Sequence, residues 1–366
     1  MRILVAMSGG VDSSVAAARL ATCGYSVVGA TLKLWKGSST SGCCSVADVD
    51  DARRVAEQLG ITHHVFDDTD AFEAHVVNPY VTAHAGGSTP NPCIECNRHI
   101  KFGLLIERAR RLGFDAVATG HHARVSQDAA GAFLLRRGRD LAKDQSYVLS
   151  MLTQVELSKV MLPVGEMTKG EVRKEAARLG LRTADKPDSQ DVCFVASQGG
   201  RRRFLEDRIA LHAGTVVDAR SGEVIGAVPA VEMVTLGQRR GLGLSGKVAR
   251  RYVVGVDLPS RRVLVGGPPM TLVSHLEVGG VTWVGLGVRH GAPVLVQASA
   301  HGPALPGRYF GDEIRYDVPQ RAVAPGQTLA MYDPLDGESV VGSAIVVGSR
   351  APSGLVVEAA LESSGA

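Results

Sequence analysis

Ile3-Leu4-Val5-Ala6-Met7-Ser8-Gly9-Gly10-Val11-Asp12-Ser13-Ser14 decides how the rest of the chain is read. Ile3–Met7 is a short apolar run of strand type, and Ser13–Ala21, rich in alanine, reads as a helix. Between them, two adjacent glycines let the backbone turn tightly and bring its N–H groups close to an anion. Ser13 and Ser14 add hydroxyls where the helix begins, and the positive end of that helix faces the same point. The turn lacks the Gly-Lys-Ser/Thr ending of a Walker loop, so transfer of a terminal phosphate in that manner is disfavoured.

Working outward, the alternation continues. Tyr25–Leu32 reads as a second strand, Val49–Leu59 as a helix ended by Gly60, and Thr62–Phe66 as a third strand. Ile100–Leu112 forms a helix closed by Gly113, Ala116–Thr119 a fourth strand, and Glu171–Leu179 a further helix before Gly180. Strands separated by helices predict a doubly wound parallel sheet with helices on both faces. Past residue 200 the helical periodicity fades. Valine-rich runs at Arg251–Val256, Arg262–Val265, Val278–Trp283, Pro293–Ala298 and Thr328–Tyr332 are punctuated by Gly and Pro, the pattern of antiparallel sheets or barrels. Boundaries are expected near 200 and near 270, where Gly266-Gly267-Pro268-Pro269 interrupts the pattern. This gives three domains, 1–200, 201–270 and 271–366.

A chain of 366 residues with 45% hydrophobic and 21% charged residues is globular rather than disordered. Six cysteines are too few for a disulfide scaffold of this length and suit a reducing compartment. Met1-Arg2 runs directly into the first strand without a secretory leader, and no apolar run approaches a membrane span of roughly 20 residues. A soluble, cytoplasmic protein without membrane contact is expected. The net charge of +3 is unevenly shared: Arg201–Arg262 holds 12 Lys/Arg against six Asp/Glu. That excess reads either as a solvated basic face or as a surface for phosphates.

Two of the cysteines stand in polar, turn-rich surroundings instead of apolar runs. Cys96 lies in Thr89-Pro90-Asn91-Pro92-Cys93-Ile94-Glu95-Cys96-Asn97-Arg98-His99-Ile100-Lys101-Phe102, and Cys193 in Lys186-Pro187-Asp188-Ser189-Gln190-Asp191-Val192-Cys193-Phe194. Cys23 is expected as an inert buried thiol on the first helix. Cys43 and Cys44 follow a Gly/Ser-rich stretch and receive no role.

Ser8–Ser14 after an N-terminal strand resembles the PP-loop of the N-type ATP pyrophosphatases, which transfer AMP to a carbonyl oxygen and release pyrophosphate. The two cysteine blocks narrow the resemblance, together with Ala118-Thr119-Gly120-His121, Lys143-Asp144-Gln145-Ser146-Tyr147, Leu236-Gly237-Gln238-Arg239-Arg240-Gly241-Leu242-Gly243 and Ala324-Pro325-Gly326-Gln327. In that order they are similar to the tRNA-specific 2-thiouridylases, which thiolate the wobble uridine of tRNA, and they cover most of the chain. The resemblance implies a PP-loop domain, a small mostly-β adaptor that meets tRNA, and a C-terminal β-barrel. It implies that ATP is held by Ala6, Met7, Ser8, Gly9, Gly10, Val11, Asp12, Ser13, Leu32 and Gly120, with Asp12 near Mg2+ or its waters. Cys193 would carry a persulfide fed by a sulfur-carrier protein. Cys96 would resolve it by forming a disulfide with Cys193. His121, Lys143, Asp144, Gln145 and Gln327 would meet tRNA, with Tyr147 read equally as a base-stacking ring or a core aromatic.

The sequence departs from the family pattern in places. Cys93 stands where many members have Asp. It would share a proton-transfer role if its pKa fell, or join Cys96 and Cys193 in holding an iron–sulfur cluster, the second reading of the mechanism. His122 stands where tyrosine is common, and Ser299-Ala300 where the family usually has Arg-Tyr; nothing is carried onto these. Two rival classes remain beside the thiolase: a PP-loop synthetase acting on a small molecule, and a tRNA-binding protein that kept the scaffold without catalysis.

Overall fold

The computed structural model describes residues 1–35, 46–188, 192–196, 199–244 and 250–351. Cys43 and Cys44, and Ser189–Asp191 of the Cys193 block, lie outside the described residues. The amino-terminal strands are β1 (Arg2–Ala6), β2 (Ser26–Lys33), β3 (Thr62–Asp67) and β4 (Ala116–Ala118); β5 (Ala123–Gln127), β6 (Phe133–Arg137) and β7 (Val160–Met161) follow. Five of these form a sheet in the order β3-β2-β1-β4-β7, every neighbouring pair parallel. Successive side chains of a strand point to opposite faces. Ile3 and Val5 accordingly join one apolar cluster with the helices α1 (Val11–Thr22) and α2 (Val46–Gln58), while Leu4 joins a second with Phe72, Tyr80, Ile100, Phe194 and Phe204. Helices cover both faces, as the alternation predicts.

The remaining strands are β8 (Gly214–Asp218), β9 (Val224–Val228), β10 (Tyr252–Asp257), β11 (Arg262–Gly266), β12 (Leu272–Trp283), β13 (Pro293–Gln297), β14 (Leu305–Tyr309), β15 (Glu313–Arg321), β16 (Thr328–Tyr332) and β17 (Ser339–Arg350). The first four make a small sheet, β10-β11-β8-β9, over a valine-rich core. Its β8–β11 pairing is parallel, where sequence texture suggests antiparallel neighbours throughout. The last six form an antiparallel barrel, β12-β15-β14-β13-β16-β17, closed by β17 pairing back onto β12.

One element escapes the sequence reading. The hairpin β5–β6 leaves the parallel sheet after β4 and pairs with the start of β17, Leu135 opposite Val340 and Arg136 opposite Ser339. The shared core of this junction holds Tyr147, Leu149, Leu135 and Tyr332. The amino-terminal and carboxy-terminal halves are therefore one hydrogen-bonded surface beside the site described next.

Candidate active site

The PP-loop leaves the carboxyl end of β1, the central strand, where β2 and β4 flank it on either side. Ligands of open parallel sheets gather at such a switch in strand order. Gly9 has φ +72°, and a Cβ on it would fall 2.2 Å from the Asp48 carbonyl oxygen, so only glycine fits. Gly10 is the extended N-cap residue of α1. Ser13 Oγ accepts from the Ser8 backbone N–H at 3.2 Å and donates to the Gly10 carbonyl at 3.1 Å, and Ser14 Oγ donates to the same carbonyl at 2.8 Å. Those bonds hold the loop in shape before anything binds. Met7 is tied to β2 at both ends, its N–H donating to Ala30 and its carbonyl accepting from Thr31 Oγ1. Leu32 is buried at the far end of β2.

Gly120 follows β4 and closes the other wall. A Cβ there would lie 2.5 Å from the Ser13 nitrogen, so its bare Cα lets the first turn of α1 pack against the end of β4. His121, next in the chain, is buried; its Nδ1 pairs with Thr119 Oγ1 at 2.7 Å. Burial, helped by the nearby Lys101 charge, keeps its imidazole well below the usual histidine range and therefore neutral.

Asp12 is the electrostatic focus. Its carboxylate accepts from Lys169 Nζ at 2.8 and 2.7 Å and lies 3.0 Å from His122 Nε2. Burial pushes its pKa up, but the bonds from His122 and Lys169 outweigh burial and hold the carboxyl below the ordinary value. The same Lys169 Nζ reaches Asp188 Oδ1 at 2.9 Å. Asp188 also takes Lys143 at 2.8 Å and Arg173 at 2.8 Å; burial pushes its pKa up, but the bonds from Lys143 and Lys169 outweigh it and bring the pKa down to about 2. Two residues upstream, Lys186 binds Asp48 at 2.6 Å and Asp51 at 2.7 Å on α2. Three separated motifs, the PP-loop, the Lys143–Tyr147 turn and the Cys193 block, are thus bolted together by ion pairs.

The two cysteines are seated differently. Asn91 caps the turn Pro92–Glu95 by accepting from the Cys93 N–H at 3.1 Å. Cys96 then opens a wide helical segment, Cys96–Leu104, and is buried. The neighbouring Asn97 donates to the Val148 carbonyl at 2.9 Å. Cys193 is half-buried and begins a four-residue helix whose next side chain, Phe194, sits among Phe72, Tyr80, Phe204 and Trp35 at centroid distances of 5.6, 5.5, 5.0 and 6.3 Å. Cys96 and Cys193 pack into the same apolar cluster. Cys93 is exposed. Among the described residues no three His, Cys, Asp or Glu side chains gather as a metal site, so the ligand set needed for an iron–sulfur cluster is not assembled there. Cys23, expected on the first helix and buried, is exposed at its C-cap because the helix ends at Thr22.

Around this centre, Lys143 is the half-exposed partner of Asp188. Asp144 is buried, and its oxygens accept from Arg137 Nη1, the Gly138 and Ser146 N–H groups and Ser146 Oγ, all within 2.9 Å. Gln145 exchanges bonds with the His122 backbone in both directions. Tyr147, weighed as a stacking ring, is core: it is 1% exposed, and its hydroxyl donates to the Thr328 carbonyl at 2.9 Å. From the barrel, Gln327 Nε2 donates to the Thr89 carbonyl at 2.5 Å, while the Thr89 N–H donates to Pro325. The Ala324–Gln327 loop therefore rests on the segment leading to Cys96. In the adaptor, Gln238 closes its own loop through Thr235 and Arg240, leaving Arg239 and Arg240 exposed.

Sequence reading missed Lys169, Arg173 and the role of Asp188. One signal was present. Thr168 and Glu171 form a capping box, so the helix starts at Lys169 rather than at the expected Glu171. A lysine in a first turn opposes the helix dipole and calls for a reason.

Three family models match in order: a tRNA methyl transferase HUP domain over residues 1–197, a tRNA methyl transferase PRC-barrel domain over 202–267 and an aminomethyltransferase beta-barrel domain over 311–346. Among curated relatives, the tRNA-specific 2-thiouridylase MnmA of Salinispora tropica is 46% identical over 361 residues, 94% of this chain and 99% of that protein. Those of Mycolicibacterium vanbaalenii and Thermobifida fusca are 46% and 44% identical, covering 96% and 94% of this chain and 100% and 95% of theirs. With the PP-loop, both cysteine blocks and all three domains accounted for, the chain belongs to the tRNA-specific 2-thiouridylase family.

Proposed function

We propose that the protein is an ATP-dependent tRNA-uridine 2-sulfurtransferase acting on the wobble uridine. The observation that carries this is the convergence of the PP-loop and the Cys193 block on the Asp12–Lys169–Asp188 ion pairs, with Cys96 and Cys193 in one apolar cluster. A synthetase for a small molecule needs neither the paired cysteines nor a barrel loop laid over the Cys96 segment, and a mere binder needs no thiols.

The triphosphate occupies Ala6–Ser13 and the wall formed by Leu32 and Gly120. A magnesium ion bound with it requires few protein ligands because phosphates and water supply most of its oxygens. Asp12 would be the carboxylate that faces it, and the ion would supply charge neutralisation for the leaving pyrophosphate. The uridine O2 attacks the α-phosphorus, pyrophosphate leaves, and C2 becomes an electrophile with AMP as leaving group. The terminal sulfur of a Cys193 persulfide attacks C2, and AMP departs with the oxygen. The Cys96 thiolate then attacks the Cys193 sulfur. This forms the Cys96–Cys193 disulfide and leaves the other sulfur on C2; a two-electron reductant resets the pair. Lys143, His121, Gln145 and Gln327 line the approach of the base, and Asp144 shapes the turn that presents Lys143. Exposed Arg239 and Arg240 take backbone phosphates. A persulfide-bearing carrier protein reloads Cys193, in the cytoplasm, where reductant is available.

Nucleoside mass spectrometry of tRNA incubated with protein, ATP and a sulfur source tests this reading. The wild type yields 2-thiouridine derivatives, while Cys193→Ser yields none and still binds ATP and tRNA. Retained thiolation by that variant overturns the sulfur route. Pyrophosphate release driven by a small substrate without tRNA overturns the choice of substrate.

A further inference from the structure

Cys93 is a thiol that the sulfur route above does not use, and its place in the fold is specific. Asn91 accepts from the Cys93 N–H at 3.1 Å, and the Cys96 N–H donates back to the Cys93 and Pro92 carbonyls. One helical turn therefore separates the two cysteines. Side chains three apart on a helix share a face, with Cβ atoms about 5–6 Å apart. A disulfide spans Cα separations of roughly 4.4–6.8 Å, so this pair closes with a small adjustment of the turn. Exposure falls in an order that matters for the chemistry: Cys93 is exposed, Cys193 half-buried and Cys96 buried. Cys96 and Cys193 share an apolar cluster with Phe72, Tyr80, Phe194 and Phe204. A disulfide between them is shielded by those rings, whereas thiol exchange requires the attacking thiolate to reach a sulfur. A reductant of protein size meets Cys93 first.

We infer that Cys93 is a second resolving thiol, which passes the Cys96–Cys193 disulfide out to the protein surface. The inference rests on the functional reading above, in which each turnover ends with that disulfide. The Cys93 thiolate attacks the Cys96 sulfur. The Cys93–Cys96 bond forms as the Cys96–Cys193 bond breaks, and Cys193 leaves as the thiolate and takes up the proton that Cys93 gave to solvent. No electrons enter at this step. A dithiol reductant then attacks Cys93 Sγ and Cys96 leaves; the second thiol of the reductant releases Cys93. The reductant ends as its own disulfide, and the enzyme regains three thiols. Exposed disulfides are the more readily reduced, so Cys96–Cys193 remains the major oxidised form at rest while the surface pair is drained as it forms. The Cys-x-x-Cys spacing of dithiol redox pairs is thereby given a task in this chain.

The experiment starts from full-length protein oxidised to the Cys96–Cys193 disulfide and follows its reduction by thioredoxin, with an alkylating quench and peptide mass spectrometry. Cys93→Ser, shown to be folded by its melting curve, is reduced about ten-fold or more slowly than the wild type, because access limits the exchange. Cys23→Ser, which removes the other exposed thiol among the described residues, is reduced at the wild-type rate. A thioredoxin variant lacking its second cysteine is trapped on Cys93 of the wild type. Reduction of Cys93→Ser at the wild-type rate overturns the inference, and so does a trap found on Cys96 or Cys193. Iron retained through anaerobic purification and lost in Cys93→Ser also overturns it, by making Cys93 a cluster ligand. The two levels separate at the first step. Protein that forms no Cys96–Cys193 disulfide removes the functional reading beneath, whereas protein that forms it and resets without Cys93 removes the relay alone.

Discussion

The two cysteine-bearing segments meet in one apolar cluster but are seated to different depths. Cys96 is part of the body of the domain. It is buried in a nine-residue helical segment whose neighbour Asn97 is hydrogen-bonded into the Ser146–Leu149 turn, and the barrel loop presses on the residues before it. Cys193 begins a four-residue helix that packs against the apolar cluster through Val192, Phe194 and Val195, with the ion pairs of Asp188 five residues upstream. A thiol exchange needs one sulfur to arrive and then be attacked, so a fixed partner and a movable one are the economical arrangement. Cys96 is buried, whereas Cys193 is half-buried on the margin of the same cluster.

The sharpest way to break this contrast is at Phe194. Phe194→Ala leaves a hole among Phe72, Tyr80 and Phe204 and costs about 3–5 kcal/mol in a denaturant melt. Alkylation of Cys193 then speeds up while that of Cys96 stays as it was; equal acceleration of both would mean the segments are not separately held. A smaller loss follows from Asn97→Ala, about 1 kcal/mol for one buried hydrogen bond to Val148. That change moves Cys96 alkylation and spares Cys193.

The ionic stem gives a dependence on pH. The Asp188 carboxyl titrates at about 2 in the folded chain against an ordinary 3.8. Its pairing therefore contributes stability that is complete above about pH 4 and is lost as pH falls toward 2. Wild type is more stable than Asp188→Asn at neutral pH, and thermal melts of the two converge across that acidic window. A constant gap down to pH 2 would remove the ion pairs as the source. The least change is expected at Gln327→Ala, which removes one bond to the Thr89 carbonyl and shifts stability by about 1 kcal/mol. If the barrel loop positions the base, the variant raises the KM for tRNA while the KM for ATP holds.

Much of this was legible in the sequence wherever the determinants are local. The PP-loop follows from two glycines between an apolar run and an alanine-rich helix, and Thr328–Tyr332 forms a strand with the expected bounds. Partners distant in sequence were not legible. Nothing near Leu135 announces that its hairpin will pair with Val340, far on in the chain, and Tyr147 reads equally as a base-stacking ring or a core aromatic until that junction buries it. Lys169 lies outside the helix expected from Glu171 and carries no role until folding sets it between Asp12 and Asp188. Thr168 and Glu171 mark where that helix starts, but only the tertiary structure says why a cation should begin it.

Mild oxidation of the full-length protein, followed by peptide mapping under non-reducing conditions, reads the arrangement of the sulfurs without requiring turnover. The account predicts that the dominant linked species joins the Cys96 peptide to the Cys193 peptide, and that Phe194→Ala lowers its yield. A Cys193 that links chiefly to another cysteine, or that stays unlinked while Cys96 oxidises, would contradict it.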